Sequence, residues 1–281
     1  MLVVTGGAGY IGSVVVRLLR DAGREVFVVD DLRTGHRDAL EGVPHLVADI
    51  MDAVLDWTNV EGVFHFAALI QVEESVREPA LYRRNNCEAA KRFLAPAVER
   101  GLPIVFSSTA AVYGEPESTP IAEDHPTRPL NPYGEAKLEV ERWLRERGAR
   151  AAILRYFNAA GGNERHRPET HLIPRLLAAT EPFVIYGSDY PTRDGTCVRD
   201  FIHVEDLARA HLLALGKAGT WNLGTGRGTT VREVVERSGK AYRLAPRRPG
   251  DAAELVADAS RAKREFGWEP RLTLDDILGR R

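Results

Sequence analysis

The feature that most constrains this chain stands at its start. A four-residue apolar run, Leu2–Thr5, leads straight into Gly6-Gly7-Ala8-Gly9-Tyr10-Ile11-Gly12 and then into a helical pattern over residues 11–22 that stops at Gly23. Gly6, Gly9 and Gly12 fall where a strand turns into a helix. With no Cβ there, the backbone can approach a diphosphate at the helix N-terminus, where peptide N–H groups and the helix dipole favour an anion. A second β-rich run, residues 25–30, ends in Asp30, 24 positions after Gly6. A carboxylate there accepts from both ribose hydroxyls and repels a 2′-phosphate, which favours NAD over NADP. Asp49 and Ile50, after a third run, are candidates for an adenine pocket.

The opening unit sets a rhythm. Strands are expected at residues 2–5, 25–30, 45–49, 62–67, 104–108 and 152–156, nearly continuous in apolar character, as strands buried on both faces must be. Helices are expected at residues 11–22 and 79–100, and from the Asn131-Pro132 pair to about Arg147, with Gly148 as the stop. This alternation predicts an α/β fold with a doubly wound, Rossmann-type parallel sheet. After Phe157 the rhythm changes. Residues 158–168 read as a loop, followed by short strands (183–186, 221–223) and helices (203–215, 231–238, 260–266). The expected organisation is a nucleotide-binding domain over residues 1–160 and a smaller C-terminal α/β substrate-binding region over 161–281, both lining one cleft. A chain of 281 residues is long enough for two such cores.

Composition excludes several functions. The 38 Lys+Arg nearly balance 40 Asp+Glu, so no general field attracts nucleic acid or an anionic membrane. No apolar stretch approaches the ~18 residues of a membrane span, and no signal-peptide pattern precedes the first strand. The expectation is a cytoplasmic protein. Two cysteines, Cys87 and Cys197, build neither a disulfide scaffold nor a four-cysteine zinc site. His166 and His171 stand five apart across Pro168, outside any metal-binding helix pattern, so no metal is expected.

A second constellation carries chemistry. Tyr133 and Lys137 are spaced i, i+4 and share one helix face, so phenol and ammonium converge. Only five residues are Lys, which makes the spacing an unusual accident. A tyrosine titrates near pH 10, and serving as a base near pH 7 asks for about 4 kcal/mol of phenolate stabilisation. An adjacent ammonium and a cationic nicotinamide ring are sources of it. Upstream, Ser107-Ser108-Thr109 ends the fifth predicted strand, at the sheet edge where open α/β folds bind ligands. Thr109 is placed to relay a proton to Tyr133, whereas Ser107 and Ser108 read as strand-end hydrogen-bonding residues.

Gly6-x-x-Gly9-x-x-Gly12, His65-Phe66-Ala67-Ala68, Ser108-Thr109, Tyr133-x-x-x-Lys137 and Arg155-Tyr156-Phe157-Asn158 together resemble the extended short-chain dehydrogenase/reductase superfamily. Tyr186-Gly187-x-Asp189-Tyr190-Pro191-Thr192, Val198-Arg199-Asp200-Phe201-Ile202-His203-Val204 and Ala245-Pro246-Arg247-Arg248-Pro249-Gly250-Asp251 resemble the UDP-glucose 4-epimerases within it. The resemblance spans essentially the whole chain. It implies the interconversion of UDP-glucose and UDP-galactose with NAD, through a transient 4-keto sugar and NADH. The family's catalytic residues fall on Tyr133, Lys137 and Thr109, the last replacing the usual Ser. Beyond the three glycines, Tyr133 and Lys137, its cofactor contacts fall on Tyr10, Ile11, Asp30, Asp31, Leu32, Thr34, Gly35, Asp49, Ile50, Phe66, Ala67, Ala68, Asn85 and Phe157. Besides Thr109 and Tyr133, its UDP-sugar contacts fall on Asn158, Leu172, Tyr186, Arg199, Arg248 and Asp251. A homodimer is implied as well. UDP-N-acetylglucosamine epimerisation stays open, because Leu255, at a position that helps set sugar size, has intermediate bulk. A dehydratase is disfavoured, because Thr109-Ala110-Ala111-Val112 offers no carboxylate. A catalytically silent binding protein is the alternative of another class.

Overall fold

The computed structural model describes residues 1–162, 169, 171–248 and 250–280. Along the chain run β1 (Leu2–Thr5), β2 (Val26–Asp30), β3 (His45–Val47), β4 (Gly62–His65), β5 (Ile104–Thr109) and β6 (Ala151–Tyr156). They are followed by β7 (Asn158–Ala160), β8 (Phe183–Tyr186), β9 (Val198–His203), β10 (Gly219–Leu223), β11 (Gly228–Thr230), β12 (Tyr242–Ala245) and β13 (Glu254–Leu255). The helices that shape the site are α1 (Tyr10–Asp21), α2 (Val72–Arg77), α3 (Pro79–Tyr82), α4 (Ala90–Glu99), α5 (Pro132–Glu146), α6 (Leu172–Ala178) and α7 (Val204–Ala214).

One sheet dominates, in the order β10-β6-β5-β4-β1-β2-β3, with every neighbouring pair parallel. The expected doubly wound α/β fold is therefore present. β1 is buried along its whole length because both faces are covered. Leu2 and Val4 join Val15, Leu19, Leu207 and Trp221 under α1 and α7, while Val3 joins Phe93, Leu94, Val140 and Leu144 under α4 and α5. The chain winds outward from β1 through β2 to β3, then returns to start again at β4. The strand order thus reverses between β1 and β4, and the carboxyl ends of these two strands part to open a crevice.

The second layer is built on β9, which pairs with β7, β11 and β13, and on a separate parallel pair, β8 with β12. Its core gathers Ile173, Leu176, Phe183, Ile185, Phe201, Val234 and Val235. The two layers interleave in sequence. After β9 the chain crosses back to place α7 against α1 and to add β10 to the edge of the first sheet.

Three local expectations change. The helix expected over residues 79–100 is segmented, with a π-helical turn at Arg83–Ala89 between α3 and α4. Asn86 in that turn exchanges two hydrogen bonds of 2.8 Å with the Leu69 backbone, tying the helix to the loop after β4. The loop expected at residues 158–168 begins as β7, and His166 lies outside the described residues. Nor does the apolar pattern reveal β9, because Arg199 and Asp200 interrupt it. Both are nevertheless buried, with Asp200 accepting from the backbone of Thr225, Gly226 and Ala257. Among the described residues, no helix is long and apolar enough to cross a membrane.

Candidate active site

The glycine turn is fixed by crowding. A Cβ at Gly12 would stand 2.2 Å from the Gly6 carbonyl oxygen, and one at Gly6, where φ is +71°, would stand 2.6 Å from the Ala67 nitrogen. Gly9 caps α1 without a side-chain acceptor, which leaves first-turn N–H groups available to an anion. Tyr10 donates its hydroxyl to the Gly161 carbonyl at 2.7 Å and links this turn to the second layer. At the end of β2, Asp30 accepts from the Ala8 N–H at 2.9 Å and the Leu32 N–H at 2.8 Å. Burial pushes its carboxyl pKa up, and these two donors pull it back.

The crevice at the strand switch holds a cavity of about 380 Å³. It is lined by Gly6, Gly9, Tyr10, Ile11, Gly12, Asp30, Asp31, Thr34, Gly35, Asp49, Ile50, Phe66, Ala67, Ala68, Asn85, Tyr133, Lys137 and Phe157. Of the residues expected to meet the cofactor, Leu32 alone does not line it. Its backbone takes φ +58°, which sends its N–H to Asp30, while its side chain packs on the core under α1. Residues not expected at the site also line the cavity, among them Arg33 and Glu74, Tyr156 from the Arg155–Asn158 motif, and Ser107, which the sequence assigned only to strand-end hydrogen bonding. Arg33 bridges the carboxylates of Asp31 (3.0 Å) and Asp49 (3.8 Å). Its place between Leu32 and Thr34 was the available signal.

Thr109, Tyr133 and Lys137 meet at the cavity's inner end. Asn131 accepts from the Gly134 N–H at 2.9 Å and Pro132 opens α5, so capping chemistry sets the turn that carries Tyr133. The Lys137 ammonium donates to the Ser107 carbonyl at 2.9 Å and stands 5.1 Å from the centre of the Phe106 ring. Tyr156 hydrogen-bonds the Ser107 hydroxyl. Burial pushes the Tyr133 phenol up to about 12, and a hydrogen bond with Thr109 pulls it back. Burial also pushes the Lys137 ammonium down to about 7, and the Glu141 carboxylate pulls it up. The surroundings therefore resist charge on both groups. For Tyr133 burial outweighs the Thr109 hydrogen bond, so the phenol stands above its ordinary value.

A second cavity of about 190 Å³ adjoins the first and shares Val72, Thr109, Tyr133, Tyr156, Phe157 and Asn158 with it. It adds Arg199, Asp251 and Leu255, with Arg199 3.5 Å from the Asp251 carboxylate. Asn158, Arg199 and Asp251 are thus assembled with the catalytic candidates. Leu172, Tyr186 and Arg248 line neither cavity. Leu172 opens α6 and packs on the second-layer core, and the Arg248 guanidinium stacks 3.8 Å from the centre of the Tyr186 ring. Among the described residues, no group of three His, Cys, Asp or Glu is placed to hold a metal ion.

The model of the NAD dependent epimerase/dehydratase family matches residues 2–224. The chain belongs to the NAD-dependent epimerase/dehydratase family. The match ends one residue after β10, so it takes in the returning strand that completes the first sheet. A UDP-glucose 4-epimerase of Azospirillum brasilense is 46% identical, over 96% of this chain and 87% of the relative. Two solved structures bring the same architecture. The UDP-glucose 4-epimerase of Bifidobacterium longum, in complex with NAD+ and UDP, superposes with a TM-score of 0.93 at 36% identity, covering 99% of this chain and 95% of its own. That of Stenotrophomonas maltophila, with bound NAD and formylated UDP-arabinopyranose, gives 0.92 at 38% identity with the same coverage. In this epimerase/dehydratase family member, the glycine turn, the tyrosine–lysine pair and the arginine-bearing second layer meet in one continuous cleft.

Proposed function

We propose that this protein is a UDP-hexose 4-epimerase that interconverts UDP-glucose and UDP-galactose. One observation carries the reading. Adjoining cavities run from the Gly6–Gly12 turn and Asp30, past Thr109, Tyr133 and Lys137, to Asn158, Arg199 and Asp251. The 46% identity to a UDP-glucose 4-epimerase over nearly the whole chain supports it.

In this reading residues 1–160 hold the cofactor and residues 161–281 the nucleotide sugar. The open N-terminus of α1 takes the cofactor diphosphate, Asp30 its adenosine ribose, and Asp49 and Ile50 its adenine. Phe66, Ala67, Ala68, Asn85 and Phe157 wall the remainder. Bound NAD+ supplies an acceptor and donor of a hydride and a positively charged ring. Tyr133 takes the proton of the sugar 4-hydroxyl, directly or through the Thr109 hydroxyl, and Lys137 stabilises the phenolate that abstraction requires. The same phenol returns the proton to the 4-oxygen of the resulting keto sugar, whichever face of C4 is turned towards the cofactor site. Arg199 and Arg248 grip the UDP diphosphate, Asn158 binds a phosphate oxygen, and Asp251 binds the ribose. Leu172 and Tyr186 complete the nucleotide end. Firm UDP contacts with few sugar contacts let the hexose turn over between half-reactions. A cytoplasmic location and a homodimer built from helices of the first layer belong to the same proposal, and sedimentation tests the second.

Proton NMR of UDP-galactose incubated with the purified protein tests the function. Appearance of the UDP-glucose anomeric signal is expected. Conversion of UDP-N-acetylgalactosamine alone would reassign the enzyme to N-acetylated sugars, and no conversion with added NAD would restore the binding-protein alternative.

A further inference from the structure

Behind the tyrosine–lysine pair lies a buried ionic network that the proposed chemistry does not use. Glu141 follows Tyr133 and Lys137 at the same i, i+4 interval, so all three occupy one face of α5. Its side chain is fully buried. The carboxylate accepts from Ser108 on β5 at 2.5 Å, from Arg155 on β6 at 2.6 and 3.0 Å, and from Arg145 at 2.8 Å. Arg155 goes on to donate to the Tyr113 hydroxyl at 3.1 Å and to the Glu123 carbonyl at 3.2 Å, and its guanidinium stacks on the Tyr113 ring. Tyr113 in turn donates to Asn222 on β10 at 2.6 Å. The partners on β5 and β6 adjoin functional residues: Ser108 lies between Ser107, whose carbonyl holds Lys137, and Thr109, and Arg155 precedes Tyr156, Phe157 and Asn158.

We propose that Glu141 is a positioning residue: its carboxylate locks the Tyr133–Lys137 face of α5 in register with β5 and supplies the negative charge behind the lysine ammonium. The proposal rests on the epimerase reading of the same site. An isolated carboxylate in this place would be costly to bury, so Arg155 and Ser108 are what make it tolerable. Lys137 also faces His65 on β4, which burial and the nearby ammonium hold neutral, with a pKa of about 3. Tyr133 on its own helix and Tyr156 on β6 line the same cavity. Glu141 is therefore the anionic side chain that favours the charged lysine.

The test is the pH dependence of kcat with UDP-galactose for the NAD-loaded wild type and for Glu141→Gln, which keeps the shape and removes the charge. The expected result is an alkaline limb lying about one pH unit lower, hence about tenfold less turnover on that limb, with KM within about twofold. Glu141→Asp, which keeps the charge on a shorter arm, is expected to restore the wild-type limb. The double variant Glu141→Gln/Arg155→Met leaves no unpaired buried charge, and it is expected to fold and to show the same displacement. An alkaline limb unmoved in Glu141→Gln and in the double variant overturns the proposal, even if both lose thermal stability. A wild type that does not turn over UDP-galactose overturns the epimerase reading instead.

Discussion

At the residue scale the account stands on three side chains that converge from β5 and α5. Replacing Tyr133 with Phe removes the proton acceptor and leaves the cavity shape, so turnover should fall by about 10³-fold or more while the purified variant still carries NAD. Absorbance and turnover on one preparation check both. Replacing Lys137 with Met should cost about 10²-fold or more and leave turnover rising with pH without the alkaline limb, because no ammonium remains to lose its charge and burial already opposes charge on Tyr133. A Lys137→Met enzyme with a wild-type profile would remove the lysine from the chemistry. These residues were legible because their signals are local: an i, i+4 pair after a helix-starting Asn-Pro, and a hydroxyl at a strand end. Leu32 was not, because the left-handed backbone that turns its side chain inward leaves no mark in the residue type. Arg33 lines the cleft as well and carried no motif of its own.

At the element scale, capping and close packing place the chemistry. Asn131 caps α5, and Asn131→Ala should cost about 1 kcal/mol in urea unfolding. Turnover should fall with it, since the first turn of α5 carries Tyr133. Gly12→Ala is expected to be severe. The added methyl would overlap the Gly6 carbonyl oxygen, and the turn must open to relieve it, so the variant should purify with NAD largely lost. The elements of the first sheet were readable from apolar runs because strands covered on both faces leave little room for polar residues. β9 escaped that logic, because its Arg199 and Asp200 are satisfied by internal partners rather than by solvent. The break of the long helix into α3, a π-helical turn and α4 was equally hidden. Its π-helical turn carries Asn86, whose hydrogen bonds to Leu69 join positions 17 residues apart.

At the scale of the whole molecule, two layers share one cleft, and the first sheet is finished only by a strand from late in the chain. Its core also holds two neutral histidines. Burial holds His65 at about 3 and His211, set between Phe66 and Tyr156, at about 4, both below the ordinary value of 6.5. Their contribution to stability is complete above pH 6.5 and is lost as pH falls from there toward 4 for His211 and toward 3 for His65, because only the unfolded chain takes up the protons. The combined loss should reach several kcal/mol, and His211→Phe should flatten the acid side of a stability–pH curve measured by urea unfolding. The central claim is that Tyr133, Thr109 and Lys137 serve oxidation and reduction at one sugar carbon. UDP-galactose deuterated at C4 tests this most directly. The account predicts UDP-glucose that keeps the label at C4, with no exchange into water. Loss of the label to solvent, or its appearance at another carbon, would contradict it.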